Sequence, residues 1–177
     1  METKRRTPGL RELRARARKI RLVLTDNDGV WTDTGVYYGE SGEMLKRYSI
    51  RDGMGVERLR DAGIATGVVS GELSGSLRTR AGKLRLEHVY LGVADKEALL
   101  PEILRRAGLT AEAVAYIGDD MNDAAVMTIV RAAGLTGAPG DAMPQVAALA
   151  HYRCRARGGH GAFREFAEWI LALRAGE

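Results

Sequence analysis

The chain has 177 residues, 45% of them hydrophobic and 28% charged, the proportions of one folded domain with little room for a second. Its apolar runs, Val146 to Ala150 among them, are far too short to cross a bilayer. The single cysteine, Cys154, excludes an internal disulfide and a cysteine-based metal cage. The basic start leads into Arg11-Glu12-Leu13-Arg14 rather than an apolar stretch, so no secretory leader is read and a cytoplasmic protein is expected.

The net charge of +4 is unevenly placed. Residues 1–19 hold eight basic side chains against Glu2 and Glu12, a net of +6, which leaves the other 158 residues at −2. Basicity belongs to a leading segment, read as a solvated basic arm or first helix, ahead of a single domain over 20–177. No nucleic-acid or membrane partner is expected from it.

In chain order, Ile20–Thr25 is a short apolar run with β-branched content, ended by Asp26-Asn27-Asp28-Gly29. Gly35–Tyr38 and Met44–Tyr48 flank a glycine-rich turn and read as a β-hairpin, which carries Tyr37, Tyr38 and Tyr48. A hairpin outside a core is marginal alone, so a second copy of the chain is its simplest cover. Ile64–Val69, His88–Leu91, Ala113–Ile117 and Gly134–Gly137 are further strand candidates. Between them, Met54–Ala62 and Lys96–Ala107 place apolar residues at helical spacing, and Gly63, Gly108 and Gly134 stand at the expected helix ends. Strands alternating with such helices predict a doubly wound, parallel α/β sheet.

In such sheets ligands sit at the carboxyl ends of the strands. After the first run come Asp26 and Asp28, and after Ile64–Val69 come Ser70-Gly71-Glu72. A third connection carries Asp95-Lys96, and Ala113–Ile117 leads into Gly118-Asp119-Asp120-Met121-Asn122-Asp123. Clustered carboxylates repel one another unless a cation lies between them, and oxygen ligands suit Mg²⁺. A hydroxyl and a lysine beside that cation suit a phosphoryl group. One aspartate can attack phosphorus while another, two residues on, moves the proton. Taken singly, Asp28 reads as turn chemistry, Asp119-Asp120 as a helix cap and Lys96 as a surface lysine. Four successive strand ends together make those readings improbable.

Asp26-Asn27-Asp28-Gly29-Val30-Trp31-Thr32-Asp33 resembles the first motif of the haloacid dehalogenase phosphatase superfamily. Ser70, Lys96 and Gly118-Asp119-x-x-x-Asp123 resemble its second, third and fourth motifs. The resemblance implies a Rossmann-like haloacid dehalogenase fold, with Asp26 as nucleophile and Asp28 as general acid/base. It implies Ser70 on the phosphoryl oxygens and Lys96 on both the nucleophile and the transferring group. Mg²⁺ would be held by Asp26, the Asp28 main-chain carbonyl and Asp119, with Asp123 in support.

The gaps between motifs leave room for the hairpin and for one helix and a strand, but for no cap domain. The chain is similar to the capless branch that contains 3-deoxy-D-manno-octulosonate 8-phosphate (KDO 8-phosphate) phosphatase. That resemblance implies a homotetramer whose subunits complete each other's sites. It rests also on Arg51-Asp52-Gly53 and Arg157-Gly158-Gly159-His160-Gly161-Ala162. Where that branch usually has Thr-Gly-Arg, this chain has Ser70-Gly71-Glu72. Glu72 with Lys83 resembles instead the phosphatase acting on 2-keto-3-deoxy-nononate (KDN) 9-phosphate, and a nine-carbon sugar acid is the favoured expectation. There a glutamate would accept from sugar hydroxyls with Lys83 keeping the pair neutral; the plainer reading is that Glu72 starts a helix. Arg51, Arg78 and Gly71 join the substrate-binding candidates, although Arg78 and Arg80 also read as a solvated helix face.

His160 departs from the arginine found at its position in relatives. His88 and His151 read as structural, Cys154 as core filler, and Met121, Met127 and Met143 as packing. Three function classes follow: a Mg²⁺-dependent sugar-acid phosphatase, a receiver-type phosphoacceptor, and a non-catalytic tetramerisation module like the domain of animal N-acylneuraminate cytidylyltransferases. A receiver has its acidic pair and acceptor on different strands, unlike Asp26 and Asp28. The retained Asp26, Asp28, Lys96 and Asp119 speak against the module.

Overall fold

A computed structural model describes residues 8–176. Lys4, Arg5 and Arg6 of the basic segment lie outside the described residues. Its remainder forms helix α1 (Leu10–Lys19), docked on the domain: Ala17 is buried, and Arg16 Nη1 donates to the carbonyls of Arg131 at 2.8 Å and Gly134 at 3.0 Å. Those carbonyls end a helix of the core, where a cation is favoured by the helix dipole.

Six strands make one parallel sheet. They are β1 (Leu22–Thr25), β4 (Ala65–Val69), β5 (His88–Tyr90), β6 (Val114–Ile117), β7 (Leu135–Ala138) and β8 (Tyr152–Arg153). The spatial order is β5-β4-β1-β6-β7-β8. Counted along the sheet's own strands this is the 3-2-1-4-5-6 doubly wound order, with its switch point at β1 and β6. The expected parallel α/β fold is therefore present, and β8 is a strand that two residues of sequence could not announce.

Helices α2 (Ile50–Asp61), α3 (Gly75–Lys83) and α7 (Ala162–Ala175) join α1 on one face. Helices α4 (Lys96–Ala107), α5 (Met121–Ala133) and α6 (Pro144–Ala147) cover the other. The strands serve both faces by alternation, since successive side chains point opposite ways. Val23, Ala115 and Ile117 pack with Val56, Leu59, Phe163 and Phe166. Leu22, Leu24, Val114 and Tyr116 pack with Leu100, Ile103, Met127 and Val130. Strands buried on both sides explain why the sequence showed continuous apolar runs.

The hairpin forms as expected, from β2 (Val36–Gly39) and β3 (Gly42–Lys46), antiparallel with a bulge between Tyr37 and Tyr38. Tyr37, Tyr38, Met44 and Leu45 are each more than half exposed, and Tyr38 reaches 72%. No second domain interrupts the chain among the described residues, so the site lies beneath no cap. No helix of the described residues is long and apolar enough to cross a membrane.

Candidate active site

At the carboxyl end of β1 the backbone leaves the sheet through Asp26, whose N–H still bonds the Ile117 carbonyl at 3.0 Å. This ties the first acidic residue to β6 across the switch point. β6 leads through Gly118 to Asp119 and Asp120. Asp120 caps α5, and Asp123, one turn in, completes a capping box. Gly29 has a left-handed φ of +84°, and a Cβ there would lie 1.8 Å from Asp119 Oδ2. Glycine at this point lets the loop after β1 and the loop after β6 touch.

One oxygen each from Asp26, Asp119 and Asp123 lies within 4.8 Å of the others. Lys96, the first residue of α4, sends its buried ammonium to Asp26 Oδ2 at 2.9 Å and Asp123 Oδ1 at 2.8 Å. Asp123 is fully buried and also accepts from Tyr116 Oη at 2.7 Å and the Asp119 N–H at 3.0 Å. Asp26 Oδ1 accepts from the Asn27 N–H at 2.6 Å. Three carboxylates thus face one ammonium. Burial, then the neighbouring Asp123, pushes the Asp26 carboxyl up to about 7. Burial, then Asp26 and Asp123, pushes Asp119 up to about 8. Burial works against the Lys96 charge, but Asp26 and Asp123 outweigh it and hold its proton above the ordinary lysine range.

Asp119 Oδ1 is buried with no hydrogen-bond partner. A buried carboxylate oxygen without a donor is costly, and an all-oxygen cluster short of positive charge is the ligand set of a hard divalent cation. The residues fit Mg²⁺.

Asp26, Asp28, Ser70, Gly71, Glu72 and Asp119 line one cleft of about 400 Å³. Its wall also carries Thr34, Asp120 and Asn122. Ser70 is buried at the end of β4, its Oγ accepting from the Glu72 N–H at 3.2 Å. The structure therefore brings all the expected motif residues together.

It does not bring together all the expected specificity residues. Glu72 lines the cleft, but α3 begins at Gly75 with Ser74 as its N-cap, so Glu72 does not start a helix. Lys83 is the last residue of that helix, which at about 1.5 Å per residue lies roughly 13 Å further along. Within one chain it does not neutralise Glu72. Arg78 is exposed along α3 and Arg51 is exposed in the first turn of α2; neither lines the cleft. Arg80 is no solvated residue: its guanidinium sits 5.8 Å over the Tyr48 ring and donates to the Ser49 carbonyl. Met127 is core as expected, whereas Met121 and Met143 are about half exposed. Cys154 is buried, and burial raises its thiol far above the ordinary range, in keeping with core filler. His151 is tied through Nδ1 to Thr136, and burial lowers it to about 4.

Three further residues shape the site although the sequence assigns none of them a role in it. Tyr116 orients Asp123 from β6. Asp52, buried in α2, accepts from the Gly161 N–H and the Arg164 N–H at 3.1 Å each, and so caps α7 from outside. Lys46, at the end of β3, reaches Asp28 Oδ1 at 2.7 Å. The glycine-rich segment before α7 packs on the loop after β1: Gly159 N–H bonds the Val30 carbonyl, and a Cβ on Gly158 would lie 2.0 Å from the Gly29 carbonyl oxygen. His160 faces Arg47 at 3.0 Å from Nε2, while Nδ1 lies 2.8 Å from the Gly158 carbonyl.

No family model matches the chain. It is 41% identical over 156 residues to the 3-deoxy-D-manno-octulosonate 8-phosphate phosphatase KdsC of Yersinia pestis, covering 88% of this chain and 82% of that protein. The Haemophilus influenzae KdsC is 40% identical over 152 residues, covering 86% and 83%. Among solved structures, the Moraxella catarrhalis phosphatase in complex with magnesium, phosphate and KDO gives a TM-score of 0.87. It shares 29% identity and covers 95% of each chain. The cobalt-bound phosphatase of Haemophilus influenzae gives 0.85 at 37% identity, covering 90% and 92%.

A parallel sheet with this acidic cleft at its switch point defines a haloacid dehalogenase phosphatase, a phosphoric monoester hydrolase. Within that superfamily the chain belongs to the KdsC family.

Proposed function

We propose that the chain is a Mg²⁺-dependent phosphatase that removes the terminal phosphate of a 3-deoxy-2-ulosonic acid, with KDO 8-phosphate as its substrate. The observation that carries this is the convergence of Asp26, Asp28, Ser70 and Asp119 on one cleft, backed by the buried Lys96. The names of the relatives support the eight-carbon acid.

In this reading Asp26 attacks phosphorus, and the bond from phosphorus to the sugar oxygen breaks. Asp28 hands its proton to that departing oxygen. Water then attacks the aspartyl-phosphate while Asp28 takes its proton, which releases inorganic phosphate and restores Asp26. Ser70 binds the phosphoryl oxygens, and Lys96 stabilises both Asp26 and the transferring group. Asp26, the Asp28 main-chain carbonyl and Asp119 hold Mg²⁺, with Asp123 in support. Bound there, the cation neutralises the carboxylates and the charge that develops on the phosphoryl group.

A second reading, KDN 9-phosphate, is favoured by Glu72, which stands in the cleft wall rather than in a helix and offers a carboxylate to sugar hydroxyls. Phosphate release from the two sugar phosphates separates them. Higher kcat/KM on KDO 8-phosphate is the expected result; a preference for KDN 9-phosphate returns the specificity to Glu72.

The proposed assembly is a homotetramer, supported by the exposed apolar side chains of the hairpin. A solution mass of four chains is expected, and a monomer at micromolar concentration would remove the assembly from the account.

A further inference from the structure

Lys46 is a buried cation on a two-stranded hairpin that otherwise presents much of its surface to solvent. Its side chain is 1% exposed. The hairpin does not need this burial for its own pairing, and an ammonium taken out of water is unfavourable unless it is well partnered. The partners are Asp28 Oδ1 at 2.7 Å and Glu43 Oε2 at 3.4 Å. Glu43 in turn accepts from Ser74 Oγ at 2.5 Å, and Ser74 caps α3 by accepting from the Leu77 N–H. The path Asp28–Lys46–Glu43–Ser74 therefore joins the loop after β1 to the loop after β4.

The contact with Asp28 is one-sided. Oδ1 accepts from Lys46, from Asn27 Nδ2 at 3.1 Å and from Thr32 Oγ1 at 3.3 Å. Among the described residues no donor reaches Oδ2. One carboxylate oxygen is clamped by three donors, and the other faces the cleft side of the loop without one. We infer that Lys46 is a positioning residue: it fixes Asp28 Oδ1 so that Oδ2 carries the proton to the departing sugar oxygen, which makes the hairpin part of the catalytic unit. This rests on the reading of Asp28 as general acid/base.

The test compares two phosphates by kcat/KM, which covers the steps through departure of the leaving group. KDO 8-phosphate has an alkoxide leaving group that needs the proton; p-nitrophenyl phosphate has one that does not. For Lys46→Met, kcat/KM on KDO 8-phosphate falls at least about tenfold, part of the ~10²–10⁴ that general acid catalysis supplies, while that on p-nitrophenyl phosphate falls less than about threefold. Thr32→Val removes a second donor to Oδ1 without removing a charge, and shows a smaller loss of the same selective kind; it serves if Lys46→Met does not fold. An equal loss on both phosphates, or no loss on either, contradicts the positioning role. Absence of turnover of both phosphates by the unaltered chain overturns the phosphatase reading itself, and the two failures are thereby distinct.

Discussion

At the residue scale the site is governed by crowded negative charge. Asp26 and Asp119 hold protons up to about 7 and about 8 when only Lys96 faces them, burial being the first cause for each. A divalent cation must displace those protons to bind. Raising the pH from 6 to 8 removes most of the proton from Asp26 and about half of that from Asp119, so Mg²⁺ affinity rises across that interval, and binding releases protons into the buffer. Titration calorimetry in two buffers of different ionisation enthalpy measures both effects. Affinity independent of pH over this range would contradict the charge account. The motif residues were legible in the sequence because each stands at a fixed step from the end of a strand. Lys46 and Tyr116 were not. Lys46 matters only because the hairpin folds back on Asp28, 18 residues away, and Tyr116 passes in the sequence for an apolar strand residue. Within one chain Glu72 and Lys83 do not meet, because a full helix separates their places.

At the scale of elements, the contact between α2 and α7 carries the glycine-rich segment that supports the loop after β1. Asp52 is its hinge point, supplying two acceptors to N–H groups at the start of α7 that the helix itself leaves without partners. Asp52→Ala leaves both unpaired in a buried setting, at a cost of about 1–3 kcal/mol. Chemical denaturation reads this as a lower midpoint, and Asp52→Asn, which keeps one acceptor, lies between. A variant as stable as the unaltered chain would remove Asp52 from the frame of the site. The sequence placed Arg51-Asp52-Gly53 as a mark of the octulosonate branch, and the structure gives its aspartate a capping role instead of a place in the cleft. Long periodic elements such as α4 were read to the residue, because twelve residues carry a full amphipathic pattern. β8 was not, because two residues carry none.

For the whole molecule, the order of the sheet does the assembling. β1 stands between β4 and β6, so three successive loops deliver the carboxylates and Ser70 to one end, and Lys96 enters from the start of α4. The alternation of strands and helices made this topology readable before any contact was known. The docking of α1 was less readable: its positive charge pointed to a solvated segment, yet Arg16 is spent on the carbonyl end of α5. The central claim is that this convergence performs Mg²⁺-dependent phosphoryl transfer through Asp26. The most direct measurement is phosphate release from KDO 8-phosphate by Asp26→Asn beside the unaltered chain, with and without Mg²⁺, circular dichroism confirming the fold of both. The account predicts release by the unaltered chain only when Mg²⁺ is present, and release by the variant reduced to background. Mg²⁺-dependent turnover that survives in Asp26→Asn would contradict it.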